Sequence, residues 1–191
     1  MQKKRIAIFA SGNGTNAMNL IHFFENSNDA EIVFVLANRS DAGVLTKAEN
    51  AGIQTVVLSN QEIEAGVAVV RVCMEQAIDV IVLAGFLRKI PAELIRQYPN
   101  QIVNIHPALL PSYGGKGMYG DHVHRAVIEA GEKESGISIH LVNEHFDEGK
   151  LLAQFKCPVL EDDSVESLRQ RVQELEHQHF SEVVNQLVKA I

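Results

Sequence analysis

Residues 6–16 read Ile6-Ala7-Ile8-Phe9-Ala10-Ser11-Gly12-Asn13-Gly14-Thr15-Asn16. An unbroken apolar run enters a glycine-containing turn, and helical spacing starts at once behind it, with Met18, Ile21 and Phe24 three apart. Continuous rather than alternating apolar residues suit a strand covered on both faces, as in a parallel sheet. Strand, glycine turn and helix in that order open a βαβ unit.

The same pattern repeats outward from there. Ile32-Val33-Phe34-Val35-Leu36, Val56-Val57-Leu58 and Val80-Ile81-Val82-Leu83 are further short apolar runs rich in β-branched residues. Asp41 to Ala51 and Gln61 to Gln76 have helical spacing, and Pro91 can open another helix, where its missing N–H is not needed. The alternation from residue 4 to about 97 predicts an α/β fold: a Rossmann-like, mostly parallel sheet with helices on both faces. After that the pattern changes. Ile102 to Ile105 is one more short strand, and Gly114 to Gly120, with four glycines in seven residues, is a loop. Gly136 to Val142 alternates like an exposed or antiparallel strand, and Leu152 to Val159 can pair with it as an antiparallel C-terminal extension. Ser164 to Lys189 is a long closing helix with Ser164 as N-cap and Glu166 or Ser167 in its first turn.

Composition narrows the classes of function. The chain has 191 residues, 46% of them hydrophobic, enough for one domain with a substantial core. Seventeen Lys and Arg against 24 Asp and Glu leave a formal charge of −7, which argues against nucleic acid or an anionic membrane as the main partner. Cys73 and Cys157 are too few for a disulfide framework. The basic start Met1-Gln2-Lys3-Lys4-Arg5 is followed by too short an apolar stretch for a signal peptide, and Val80 to Leu87 is too short to span a bilayer. The expectation is a soluble, cytoplasmic, single-domain protein acting on small molecules.

In an open α/β sheet, ligands bind outside the carboxyl ends of the strands. Those ends hold the chemically richest stretches: Ala10–Asn16, Ala84–Ile90, Asn104–Ser112 and the turn around Asp147. The first lacks a Lys, so it is no Walker loop; the spacing Gly12-x-Gly14-x-x-Ala17 has no acidic partner at Leu36-Ala37-Asn38-Arg39 to hold an adenosine ribose. A single phosphate fits better, bound by amides at a helix start. In Asn104-Ile105-His106-Pro107-Ala108-Leu109-Leu110-Pro111, Asn104 and His106 share one strand face, so an amide donor and an imidazole stand together to stabilise an oxyanion and move a proton. Asp147, in Phe146-Asp147-Glu148-Gly149, can orient that imidazole and raise its pKa, or can simply cap a turn. His140 either joins the same network or fills the sheet face. Asp121-His122-Val123-His124 lacks zinc spacing, Glu174 to His179 is mostly a solvated helix face, and Cys73 is a packing residue.

On these motifs, from Ile6 to about Phe180, the sequence resembles the phosphoribosylglycinamide formyltransferases, a branch of the 10-formyltetrahydrofolate-dependent formyltransferase family. Ser11-Gly12-Asn13-Gly14-Thr15-Asn16, Leu83-Ala84-Gly85-Phe86-Leu87-Arg88, the Asn104-to-Pro111 block and the segment from Gly136 to Gly149 carry the likeness. It implies transfer of a formyl group from 10-formyltetrahydrofolate, as co-substrate, to the amine of glycinamide ribonucleotide in de novo purine synthesis. No metal is implied, and the expected state is a monomer or homodimer. Gly14, Thr15 and Asn16 would hold the ribonucleotide phosphate and Glu176 would contact the ribonucleotide. Leu87, Arg88, Lys89 and Ile90 would frame the pterin. Asn104 would polarise the formyl oxygen and His106 would act as general acid–base, tuned by Asp147. On this view residues 1–100 are a phosphate-binding half and 101–191 a folate and catalytic half. The sequence departs from the family pattern in its glycine-rich Ser112–Gly120 loop, in Glu148-Gly149-Lys150, and in a shorter segment from Asn60 to Val70, where no basic folate contact carries over.

Overall fold

A computed structural model describes residues 2–191. It contains β1 (Lys4–Phe9), α1 (Thr15–Phe24), β2 (Ala30–Ala37), α2 (Gly43–Asn50), β3 (Gln54–Val57), α3 (Asn60–Ala65), α4 (Val67–Glu75), β4 (Val80–Leu83), α5 (Ala92–Gln97), β5 (Ile102–His106), α6 (Asp121–Glu129), β6 (Glu134–Leu141), β7 (Leu151–Pro158) and α7 (Val165–Ala190). The seven strands follow the order β3-β2-β1-β4-β5-β6-β7. The chain divides into two compact units, one comprising residues up to 103 with 184–191, the other residues 104–183.

In the first unit β1 pairs in parallel with both β2 and β4, and β2 pairs in parallel with β3. Two-sided cover explains the unbroken apolar runs: Ile6, Ile8, Phe9, Phe34, Leu36 and Ile81 are fully buried. Each such side chain contributes about 1.5–3 kcal/mol relative to exposure. α1 and α2 both pack on β2, burying Leu20, Ile21 and Phe24 from one and Val44, Leu45 and Ala48 from the other.

Two details differ from the sequence reading. The single helix expected over Gln61 to Gln76 is two, α3 and α4, broken at Gly66 (φ 80°), which a helix cannot continue through. Ser59 caps α3 reciprocally with Glu62, a Ser-x-x-Glu signal present in the sequence. Pro91 is the residue before α5, with ψ 144°, rather than its first helical residue.

In the second unit β6 and β7 pair antiparallel, with Ile137 opposite Phe155 and Ser138 opposite Gln154. β6 is antiparallel but not exposed, since every residue from Ser135 to Leu141 is buried. Gly136 is required where it stands, because a Cβ there would lie 2.0 Å from the Phe155 carbonyl oxygen. The register shifts between Ile139 and His140, a bulge that re-aims the end of the strand. Ser164 caps α7 as expected, its hydroxyl accepting from Ser167 N–H at 3.1 Å. Among the described residues no helix is long and apolar enough to cross a membrane.

Between β7 and α7, Asp163 accepts from Arg171 Nη1 at 2.6 Å and Nη2 at 2.9 Å, from Ser167 Oγ at 2.7 Å and from Leu160 N–H at 2.8 Å. The Arg171 hydrogen bonds hold its carboxyl well below the usual carboxylate range. The folded state thus binds this proton less readily than the unfolded chain. Its contribution is present above about pH 4 and is lost as pH falls further. Asp163→Asn should lower the unfolding free energy by about 2 kcal/mol at neutral pH and flatten the stability loss below about pH 4, as read by denaturant titration.

Candidate active site

In the first unit, the turn after β1 is held from behind. Val44 N–H donates to the Gly12 carbonyl at 3.1 Å, and Lys47 Nζ donates to the Asn13 carbonyl at 2.8 Å. Gly14 occupies the left-handed region (φ 71°, ψ 35°), and a Cβ there would lie 2.2 Å from Val44 Cγ2. Only glycine meets both conditions, and having no side chain it contributes no side-chain cap to α1. Behind the turn, Ala17 is fully buried. The stretch after β4 is tied to this turn within the same unit: Ser11 N–H donates to the Gly85 carbonyl at 3.1 Å, and Leu87 N–H donates to Ser11 Oγ at 3.0 Å. Leu87, Arg88 and Lys89 are exposed, whereas the Ile90 side chain is buried.

In the second unit, period-two alternation on β5 puts Asn104 and His106 on one face. Asp147 comes from the β6–β7 hairpin turn at φ 57°, a conformation that Asp tolerates better than most residues. Gly149 makes the turn possible, since a Cβ would sit 1.6 Å from the Leu141 carbonyl oxygen. His106 Nδ1 is 3.6 Å from Asp147 Oδ2 and His140 Nε2 is 3.5 Å from Asp147 Oδ1. Asn104 Nδ2 lies 3.1 Å from His140 Nε2 and 3.5 Å from Asp147 Oδ1. His140 therefore belongs to the cluster. Its Nδ1–H donates to the Leu141 carbonyl at 2.9 Å, which makes Nε2 the acceptor for the Asn104 amide.

Burial pushes the His106 imidazole below its ordinary value and outweighs Asp147 and the Tyr113 carbonyl, which act in the opposite sense, while His140 adds to the lowering. This corrects the expectation of a raised pKa: the carboxylate acts as foreseen, but desolvation is the larger effect. Burial pushes Asp147 up, yet the His140 and His106 imidazoles beside it and the Gly115 N–H together carry it below its ordinary value. A buried, neutral imidazole thus faces a carboxylate that stays ionised. His124 on α6 is also buried; burial lowers its pKa, and its Nδ1 finds no hydrogen-bond partner among the described residues.

Several supporting groups had no sequence signal. Ser138 Oγ donates to the Ala108 carbonyl at 2.7 Å and accepts from Leu110 N–H at 2.9 Å. Gln154 Nε2 donates to Ser138 Oγ at 2.8 Å and to the Leu110 carbonyl at 2.9 Å. Together they pin the backbone that leaves His106. The Tyr113 carbonyl and the Gly115 N–H contact His106 and Asp147. Glu176 is half-buried on α7, and its neighbour His179 stacks on Phe155 at 3.7 Å. Cys73 is a packing residue, its buried thiol pushed up to about 12. Among the described residues, no three His, Cys, Asp or Glu side chains are grouped to hold a metal ion.

Residues 4–184 match the family model described as formyl transferase. The chain belongs to the formyl transferase family. The chloroplastic phosphoribosylglycinamide formyltransferase of Arabidopsis thaliana is 40% identical over 96% of this chain and 65% of its own length. The Haemophilus influenzae protein named phosphoribosylglycinamide formyltransferase is 34% identical over 95% of this chain and 85% of its own. Among solved structures of formyl transferases, phosphoribosylglycinamide formyltransferase from Brucella melitensis superposes with a TM-score of 0.86 at 36% identity, covering 98% of this chain and 96% of that one. The chain spans slightly less than two thirds of the Arabidopsis relative and of the chloroplastic phosphoribosylglycinamide formyltransferase of Vigna unguiculata, 65% and 62% of their lengths.

Ser138→Ala removes the acceptor of the Leu110 N–H, the hydroxyl donor to the Ala108 carbonyl and one of the two acceptors of the Gln154 amide. It should cost about 2 kcal/mol of stability, measured by chemical denaturation, while leaving the β6–β7 pairing intact by hydrogen exchange.

Proposed function

We propose that this chain transfers the formyl group of 10-formyltetrahydrofolate to the amine of N1-(5-phospho-D-ribosyl)glycinamide. The products are formylglycinamide ribonucleotide and tetrahydrofolate, a step of de novo purine synthesis. The observation that carries this reading is the cluster of Asn104, His106 and Asp147 around a buried imidazole, in a chain that matches the formyl transferase model over residues 4–184. Relatives named phosphoribosylglycinamide formyltransferase support the choice of acceptor.

The chemistry follows from the protonation states. The substrate amine attacks the formyl carbon and the carbonyl oxygen becomes an oxyanion. One N–H of Asn104 is taken by His140 Nε2 at 3.1 Å; the contact to Asp147 at 3.5 Å is marginal, so the second N–H serves the oxyanion. His106, neutral at rest because burial lowers its pKa, accepts the proton that leaves the attacking nitrogen. The resulting imidazolium is stabilised by ionised Asp147, then returns the proton to N10 as the carbon–N10 bond breaks. Gly14, Thr15 and Asn16 take the phosphate on the helix-start amides, so the acidic net charge is no obstacle. Glu176 contacts the ribonucleotide, and Leu87, Arg88, Lys89 and Ile90 frame the pterin, Ile90 through its backbone because its side chain is buried.

Purified protein given both substrates, with water as the competing acceptor, should form formylglycinamide ribonucleotide. Folded protein that binds both ligands without turnover would falsify the assignment. His106→Ala should slow the chemical step by about 10²–10⁴ while the protein stays folded. Because its pKa is lowered in the free protein, the acid limb that His106 gives the kcat/KM profile should lie below about pH 6.5 and vanish in His106→Ala. Gly14→Ala, which strains the turn and meets Val44, should raise KM for the ribonucleotide by about tenfold or more and KM for the folate far less.

A further inference from the structure

Tyr113 stands in the left-handed region, at φ 57°, which a bulky side chain rarely adopts. Its surroundings hold it there. The phenol O–H donates to Glu132 Oε1 at 2.8 Å. The next residue, Gly114, has no room for a Cβ, which would lie 2.6 Å from Leu110 Cδ2 and 3.3 Å from Asp147 Cβ. Gly115 then donates its N–H to Asp147 Oδ2 at 2.9 Å. The result is a backbone carbonyl aimed at the imidazole, with the Tyr113 oxygen 2.7 Å from His106 Nε2. Strain maintained by several neighbours at once points to a functional constraint.

A carbonyl oxygen only accepts, so the nitrogen facing it carries the hydrogen. In the neutral ring the lone pair is then on Nδ1, which sits 3.6 Å from Asp147 Oδ2, beyond hydrogen-bond distance. We propose that residues Tyr113 to Gly115 are a positioning element for the proton carrier: the Tyr113 carbonyl fixes His106 as the Nε2–H tautomer, so that Nδ1 takes up and returns the proton. The same three residues hold Asp147 through the Gly115 N–H, so that the carboxylate faces the Nδ1–H as it forms. This rests on the reading of His106 as the general acid–base. The proton on the attacking amine moves to Nδ1 as the nitrogen–carbon bond forms, and moves from Nδ1 to N10 as the carbon–N10 bond breaks. The Nε2 proton stays in place throughout, since the Tyr113 carbonyl cannot accept it.

The other groups around His106 do not compete for its tautomer. His140 has Nδ1 on the Leu141 carbonyl and Nε2 toward the Asn104 amide, and His124 is coupled to His106 through the charge of His106, which lowers the His124 pKa.

The test is nitrogen-15 NMR of the whole protein, labelled at histidine, at pH 8, with His106 assigned by its loss in His106→Ala. The expected result is a single Nε2–H tautomer in the wild type. Tyr113→Phe, which removes only the Glu132 bond and so frees the backbone carbonyl to turn from the ring, should give a mixed tautomer. It should lower kcat by about tenfold with KM for both substrates little changed. Glu132→Ala should behave alike, and Glu132→Gln, which keeps an acceptor for the phenol, should recover most of that loss. A wild-type His106 protonated on Nδ1, or Tyr113→Phe with tautomer and kcat unchanged, overturns the proposal. The NMR result is independent of turnover, so a protein that shows the Nε2–H tautomer without formyl transfer would overturn the functional reading and not the tautomer assignment.

Discussion

The Asp147 carboxylate is where the constraints of the second unit meet. A left-handed residue in a hairpin turn, with a glycine two positions later that admits no Cβ, fixes its backbone. Gly115 N–H then holds Oδ2, while His140 and Asn104 approach Oδ1. A buried carboxylate would normally tend toward the neutral acid. Here the Gly115 N–H and the two neighbouring imidazoles reverse that tendency, and a fixed negative charge stands beside a buried imidazole. For His106 the balance goes the other way, because burial outweighs the carboxylate. An imidazole that rests neutral but finds a counter-charge when protonated is suited to accept a proton and return it within one reaction.

The first unit uses backbone where the second uses side chains. Its turn after β1 has the Gly12 and Asn13 carbonyls bonded to α2, through Val44 N–H and Lys47 Nζ. Carbonyls committed to a neighbouring helix keep the negative ends of those peptide dipoles occupied, an arrangement that favours an anion at the amide end of α1. Ser11 ties this turn to the Gly85–Leu87 stretch by two hydrogen bonds. The two proposed ligand-binding segments of that unit are therefore parts of one bonded framework.

Much of this was legible in the sequence because it depends on side-chain pattern. Unbroken apolar runs mark strands covered on both faces, and β1, β2 and β4 are so covered. Period two alone places Asn104 beside His106, and the antiparallel pairing of β6 with β7 was visible in alternation. What was not legible depends on backbone groups and on burial. Nothing in the letters at 113 and 115 announces that one carbonyl will face an imidazole and one N–H a carboxylate. The break at Gly66 is hidden in a segment whose apolar spacing continues through it. The lowered pKa of His106 needs the degree of burial, which a neighbouring-residue argument omits. Ser138 and Gln154 meet only because β6 and β7 share one register.

The same carboxylate has two imidazoles beside it, and backbone carbonyls separate their roles. His140 gives its Nδ1–H to the Leu141 carbonyl and turns Nε2 toward the Asn104 amide, so both nitrogens are engaged within the protein. A ring bonded in this way orients the amide and has no nitrogen left for substrate. His106 has one nitrogen on the Tyr113 carbonyl and the other only near Asp147, outside bonding distance. The bulge between Ile139 and His140 sets the first arrangement, and the left-handed turn at Tyr113 sets the second. Two residues of identical chemistry thus become an orienting group and a proton carrier, and which is which is decided by where the chain places two peptide oxygens.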